Sequence, residues 1–171
     1  MKLITKTDVT TESVLAPAVR EWLALDSTSQ DTMLATMAKA ARMKIERLTG
    51  KAIGARTLVY TIQMPTYGVL DLPYPPVVSI STVKTIAEDG TTDTLVASDF
   101  SLVNESLYCA SAIGFAVEVE YITGLTPTVS ENQLIMKQTA WDYTHRGDTE
   151  TATYSPDVLM EISQISVNNG F

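Results

Sequence analysis

Residues 31–64 decide the fold, and they read DTMLATMAKAARMKIERLTGKAIGARTLVYTIQM. In the first part of this stretch, apolar residues recur every three or four positions, which is typical of one face of an α-helix. After Gly50 they alternate with polar residues, as in a strand with one buried face. The sequence therefore predicts a helix over about 30–49, which ends at Gly50, and a strand over 57–64. The helical stripe comprises Leu34, Ala38, Ala41, Ile45 and Leu48.

Three more helices are predicted on either side of this stretch. Upstream, a short helix begins near Leu15, because Pro17 is tolerated only in the first turn. Downstream, a helix is capped by Ser130 and stops at Gly147, and a last short helix opens at Pro156. Residues 166–171 are polar and are expected to form a flexible tail.

Short alternating segments lie between the second and third of these helices. The clearest is a hairpin of 77–87 and 92–96, joined by the turn residues Asp89 and Gly90. Prolines restrict 69–72 to a short edge strand at most. Further strands are predicted over 100–103, 106–109 and 115–122. The predicted fold class is α+β: a bundle of about four helices, with a small antiparallel β-sheet inserted between the second and third helices. A doubly wound nucleotide-binding fold is excluded because strands and helices do not alternate.

Length and composition favour a single globular domain over 1–171. The chain has 171 residues, of which 45% are hydrophobic and 19% charged. Its helical parts are expected at 10–50 and 130–165, around a β-subdomain at 56–124. It has no apolar segment long enough for a signal peptide or a membrane span, so we expect synthesis in a cytoplasm-like compartment and no membrane partner.

Candidate catalytic chemistry is sparse. The single cysteine, Cys109, excludes an internal disulfide framework and an all-cysteine zinc site, and is interpreted as a core residue. The single histidine, His145, falls at a predicted helix end, where the helix dipole favours a cation. No phosphate-binding loop or metal-ligand spacing is present. We therefore predict no catalytic residue, no cofactor, no metal site and no enzyme activity.

Charge is unevenly distributed along the chain. The net charge is −8, yet residues 31–56 carry +4 and residues 57–130 carry −7. Two ordinary interpretations are that these are solvated faces, or that the basic helix contacts nucleic acid. A third is head-to-tail association, in which each copy presents its basic helix to the acidic sheet of the next. The candidate residues for such a subunit interface are Lys39, Arg42, Lys44, Arg47, Glu118 and Glu120.

Several segments resemble the head-tail connector (adaptor) family of tailed phages. The helix over 31–49 opens on Asp31 and ends in Glu46, two residues and Thr49-Gly50, as in that family. The segments at 70–80, 86–91 and 99–100 are similar to its proline-rich strand, hairpin turn and following strand. Those at 117–124 and 138–143 resemble its last strand and third helix. Two departures are Glu118 and Glu120, where relatives often carry basic residues, and a more polar third helix.

This resemblance implies a structural virion protein at the head-tail junction. It would form a ring, dodecameric in the family, that docks beneath the portal protein, extends the channel for duplex DNA without binding it specifically, and carries the next neck or tail-completion protein. The segment from Pro156 is the expected portal-docking element, with Ile162, Ile165 and Phe171 as apolar anchors. The alternatives are another neck protein, such as a stopper or tail terminator, or a DNA-binding module that uses the basic second helix.

Overall fold

The computed structural model describes residues 1–63, 68–109, 115–148 and 153–168, with side chains up to residue 164. Within these ranges it contains four α-helices and antiparallel sheets, so the predicted α+β class is confirmed. The chain forms two compact units. The strand unit comprises Met1–Thr10 and Gly50–Thr126, and the helical unit comprises Thr11–Thr49 and Pro127–Phe171.

The strand unit contains eight strands within the described residues. They are β1 (Lys2–Thr7), β2 (Arg56–Gln63), β3 (Val69–Asp71), β4 (Val77–Ile86), β5 (Thr92–Thr94), β6 (Phe100–Val103), β7 (Ser106–Cys109) and β8 (Ala116–Thr123). Five form one sheet in the order β1-β2-β8-β4-β5, and three form another in the order β3-β7-β6. The prediction of one small sheet inserted between the second and third helices is therefore wrong. The larger sheet also includes β1, which precedes the first helix.

Strand β8 is the centre of the larger sheet, and its side chains alternate between two environments. Val117, Val119 and Tyr121 are fully buried, and Tyr121 lies opposite Leu58 of β2. Each such side chain stabilises the fold by about 1.5–3 kcal/mol through burial. Phe115, the first residue of the strand predicted over 115–122, precedes β8 and is exposed.

The proline-rich segment before β4 is held by hydrogen bonds from buried groups. The Tyr121 hydroxyl donates to the Pro73 carbonyl oxygen at 2.7 Å. The Thr123 hydroxyl donates to the carbonyl oxygens of Tyr74 and Pro76. These bonds, together with the bond from the Gly124 amide to the Pro76 carbonyl oxygen, satisfy carbonyl groups of the segment and fix the entry into β4.

The helical unit consists of α1 (Ala16–Trp22), α2 (Asp31–Thr49), α3 (Val129–Thr144) and α4 (Pro156–Asn168). Helix α1 begins after Leu15 with a proline in its first turn, as predicted. Helix α2 follows a 3-10 turn and buries most of the predicted stripe, but Leu48 is exposed because it lies at the margin of that stripe. Gly50, the first residue after α2, has a φ of +67°, the left-handed conformation that ends helices.

The two C-terminal helices differ from the prediction at their ends. Helix α3 is capped by Thr128 rather than Ser130, since Thr128 and Glu131 form a reciprocal capping box. Helix α4 extends to Asn168 and so includes the first three residues of the segment predicted to be a flexible tail. Residues 169–171 lie outside the described residues. Among the helices described, none combines the length and hydropathy needed to cross a membrane.

Candidate assembly surfaces

The most basic element of the sequence, α2, uses one of its cations inside the helical unit. The Arg42 side chain is only 1% exposed. Its guanidinium donates to Glu12 at 2.8 and 3.0 Å and to both carboxylate oxygens of Glu46 at 3.0 Å. Arg42 therefore holds the segment before α1 against α2. Because a buried cation cannot face a neighbouring subunit, Arg42 is not available for the predicted subunit interface.

Lys44 also forms its ion pair within the helical unit. Its ammonium group donates to the Asp142 carboxylate of α3 at 2.7 Å and to the Thr153 carbonyl oxygen at 3.2 Å. Gln138 contacts the same carboxylate at 2.9 Å and accepts from the Ser155 amide at 3.0 Å. This network joins α2 and α3 to the start of α4, so Lys44 has a structural role.

The remaining two basic candidates, Lys39 and Arg47, lie on the exposed side of α2. This side is opposite the buried stripe, because its members recur three or four residues apart and out of phase with the stripe. Its exposed members form what we call the α2 face. They are Thr36, Lys39, Ala40, Met43 and Arg47.

Glu118 and Glu120 lie on the outer face of the larger sheet, as the alternation predicts. Each has a lysine beside it: Lys6 lies 2.7 Å from Glu120, and Lys84 lies 3.5 Å from Glu118. Exposed pairs of this kind contribute less than about 1 kcal/mol, but they lower the local negative potential. The outer face around β8 therefore carries both signs of charge.

The charge difference between sequence segments is absent between the folded units. The strand unit contains five basic and nine acidic residues, and the helical unit contains seven and eleven, so each carries −4. The reason is that α2 folds with the acidic segment 127–171. A pairing of basic helix with acidic sheet therefore has less charge contrast than the sequence suggested.

The predicted portal-docking residues fall in three different situations. Ile162 is 9% exposed and belongs to the core with the fully buried Val158. The side chain of Ile165 and the whole of Phe171 lie outside the described residues. Among the α4 side chains that the structure describes, up to residue 164, the large exposed apolar ones are Leu159 and Met160, at 42% and 58%.

Helix α1 carries an exposed aromatic residue. A short amphipathic helix in this segment was expected to bury Trp22, but Trp22 is 50% exposed and Leu15 is 54% exposed. The buried side of α1 is formed by Ala16 and Val19. The spacing of Leu15, Ala18 and Trp22, three and four residues apart, is the sequence signal that could have revealed a second apolar stripe.

Cys109 and His145 occupy structural environments. Cys109 is buried, and burial raises the pKa of its thiol, which disfavours the nucleophilic thiolate. The His145 ring stacks on Trp141 with ring centroids 3.9 Å apart, and its Nδ1 lies 2.9 Å from the Trp141 carbonyl oxygen. Within the described ranges, no group of three or more His, Cys, Asp or Glu residues is placed to hold a metal ion.

Comparison with known proteins identifies similar structures but no family. No protein-family model matches the chain, and no curated protein matches it. Chains from two structures, described as "Virion of native gene transfer agent (GTA) particle" and "Neck of empty GTA particle computed with C6 symmetry", align with TM-scores of 0.77. A chain from "Neck of native GTA particle computed with C12 symmetry" aligns with a TM-score of 0.75. In all three the identity is 22%, and the alignment covers 96% of this chain and 94% of the other. The chain therefore shares its fold, over almost its whole length, with chains of phage-like particles.

Proposed function

We propose that this protein is a structural neck component of a phage-like particle, and more specifically a head-tail connector that joins capsid to tail. The observation that carries the proposal is the fold similarity over 96% of the chain to chains from gene transfer agent particles, two of them neck structures. The ordered series of connector-like segments in the sequence supports the same role. The proposed role is structural and non-enzymatic.

The proposed assembly is a ring beneath the portal protein. Two of the similar neck structures were computed with C6 and C12 symmetry, which is compatible with a dodecamer. Identical copies arranged about one axis use two different patches of each copy, and such heterologous contacts close when the rotation allows it. A ring of this kind would extend the portal channel and offer a platform to the next neck or tail-completion protein.

Net charge supports the passage of DNA through such a ring. Each copy carries −8, and each unit contributes −4. Carboxylates in excess repel phosphates within a screening distance of roughly 8–10 Å. Duplex DNA would slide through without being held.

The decisive experiment is electron-microscope imaging of the purified protein mixed with portal protein. We expect a collar of identical copies on the portal axis, and binding without any intermediate protein. Binding that requires another neck protein would favour a stopper or tail terminator instead. Imaging of virion necks in which the polypeptide is missing, or present as one copy off the axis, would contradict the proposal.

A DNA-binding module is the second candidate function, based on the basic residues of α2. Only Lys39 and Arg47 of its four cations are exposed, since Arg42 is buried and Lys44 pairs with Asp142. A dedicated binder neutralises several phosphates and loses affinity steeply as salt increases. We expect no measurable duplex binding at low salt. Tight binding with a steep salt dependence would favour this second function.

A further inference from the structure

Helix α1 carries an exposed patch with the composition of a protein interface. Ala18 and Trp22 lie four residues apart on the exposed side of the helix, with Glu21 beside them, and the exposed Leu15 immediately precedes the helix; we call these four residues the α1 patch. Trp22 and Leu15 keep about half of their surface exposed, at 50% and 54%. Tryptophan is enriched at the energetic centres of protein interfaces, because it buries a large rigid area.

The surroundings of the α1 patch are acidic. Glu21 and Asp26 are both exposed. The neighbouring cation, Arg20, is engaged by Asp31, with its nitrogen 2.6–2.7 Å from the two carboxylate oxygens. Arg20 is therefore directed to the start of α2 and does not neutralise Glu21. The matching surface of a partner should be basic at its margins and have a flat apolar centre.

The α2 face has this composition. Its centre is formed by Ala40 and by Met43, which is 47% exposed, and its margins carry Lys39 and Arg47. Methionine adapts its shape to an incoming aromatic ring and makes favourable sulfur contacts with it. Since the buried stripe of α2 points into the helical unit, the α2 face is available to a partner.

From these observations we infer that the α1 patch of one copy binds the α2 face of the next copy, with Trp22 against Met43 and Glu21 beside Arg47. The inference rests on the proposed ring and names its subunit contact. A contact between two α1 patches would bring Glu21 and Asp26 of both copies together, and like charges at an interface are unfavourable. The heterologous contact has opposite charges, and it is the type that a ring requires.

Cross-linking of single-cysteine chains tests the contact directly. In a Cys109→Ala background, one chain carries Ala18→Cys and a purification tag, and a second, untagged chain carries Ala40→Cys, so that Trp22 and Met43 both remain in the contact. After mixing with a short bis-maleimide, we expect mixed dimers in much higher yield than dimers of either chain with itself. A chain with Val103→Cys, which is 47% exposed on β6 in the strand unit, is the control for random encounter. Because cross-linking traps transient contacts, the test does not require a stable ring in solution.

Cross-linking and portal imaging together distinguish failure of the proposed contact from failure of the proposed function. Mixed dimers no more abundant than those of the Val103→Cys control, or a preference for like-with-like dimers, would overturn the inference. Rings imaged on the portal together with that result would leave the proposed function standing. Mixed dimers without any collar on the portal would uphold the contact and contradict the proposed function. Ala18, Ala40 and Val103 are exposed, whereas Cys109 is buried, and circular dichroism checks that each variant is folded.

Self-association provides the quantitative readout. Trp22→Ala is expected to raise the dissociation constant between copies about 30-fold, the loss typical of an interface hot spot. Glu21→Arg and Arg47→Glu should each weaken association, and combining both in one chain should restore much of it. Unchanged association in Trp22→Ala, or additive losses in the combined variant, would contradict the contact.

Discussion

Gly124 and Gly54 approach each other so closely that a β-carbon on Gly124 would lie 2.2 Å from the Gly54 carbonyl oxygen. Gly124 also has a φ of +85°, a conformation that other residues rarely adopt. The contact joins the end of β8 to the loop before β2. Backbone atoms form both sides of it, so the clash cannot be relieved by a side-chain rotation.

Gly124→Ala should therefore be one of the most destabilising single changes in the strand unit. We expect a loss of about 3 kcal/mol or more in the free energy of unfolding, from backbone strain and the displacement of Gly54. Urea denaturation followed by circular dichroism measures it. The matched control is Gly90→Ala, which has a similar φ of +86° and no atom within 4 Å of the added carbon. Its expected cost is about 1 kcal/mol, and equal costs for the two variants would show that the close approach has no energetic effect.

Arg42→Met should destabilise the helical unit strongly. The substitution leaves the Glu46 carboxylate, whose side chain is 4% exposed, without its guanidinium partner. Removing one partner of a buried ion pair costs about 3–5 kcal/mol. Adding Glu46→Leu removes the buried carboxylate and should recover part of the lost free energy of unfolding. The control, Arg47→Met on the exposed side of the same helix, should change stability by less than about 0.5 kcal/mol, and a similar loss in both variants would contradict the role of the network.

The Arg42 network also illustrates which features sequence patterns can predict. The stripe that buries Leu34 and Ile45 is periodic and local, so helix α2 was predicted with nearly correct ends. A side chain at the margin of that stripe can turn inward or outward, depending on partners distant in sequence. Arg42 turns inward because Glu12, thirty residues away, lies beside it. Charge counted along the chain therefore did not predict charge on the surface.

Strand β1 was missed for a related reason. Its six residues are mostly exposed, so it lacks the strong alternation that identified β2 and β8. It is stabilised by pairing with β2, a contact between residues fifty or more positions apart. The order of strands in the larger sheet depends on the same kind of long-range pairing, which periodicity does not contain.

Similarly, the choice of Thr128 over Ser130 as the α3 cap depends on Glu131 reaching back to the amide and hydroxyl of Thr128.

Stability should fall at alkaline pH because of Tyr121. Burial raises the pKa of its phenol well above the ordinary value, and its hydroxyl donates to the Pro73 carbonyl oxygen. In the unfolded chain the phenol ionises near pH 10, so the unfolded state loses this proton first. The free energy of unfolding should then decrease by up to about 1.4 kcal/mol per pH unit above pH 10 from this group. Urea denaturation at a series of pH values measures the slope.

Tyr121→Phe is the control for that slope. It removes the titrating group, so the alkaline decrease should become smaller, while stability at neutral pH drops by about 1–3 kcal/mol because the Pro73 carbonyl loses its donor. Absorbance titration of the phenols gives an independent check, since Tyr121 should ionise only as the protein unfolds. An unchanged slope in Tyr121→Phe would contradict the assignment.

Substitutions in helix α4 can distinguish an effect on portal binding from an effect on the stability of the helical unit. Leu159 and Met160 are exposed on α4, whereas Val158 and Ile162 are buried. If α4 docks on the portal, Leu159→Ser combined with Met160→Ser should weaken portal binding about tenfold or more, with little change in the unfolding midpoint. Ile162→Ser should do the reverse: it should lower stability by about 2–4 kcal/mol through a buried hydroxyl and a cavity, with binding retained by the fraction that stays folded. Surface plasmon resonance on immobilised portal protein measures the first effect and thermal denaturation the second. Full binding by the double variant would show that Leu159 and Met160 do not form the docking contact, because truncation of two apolar anchors removes the surface that they would bury.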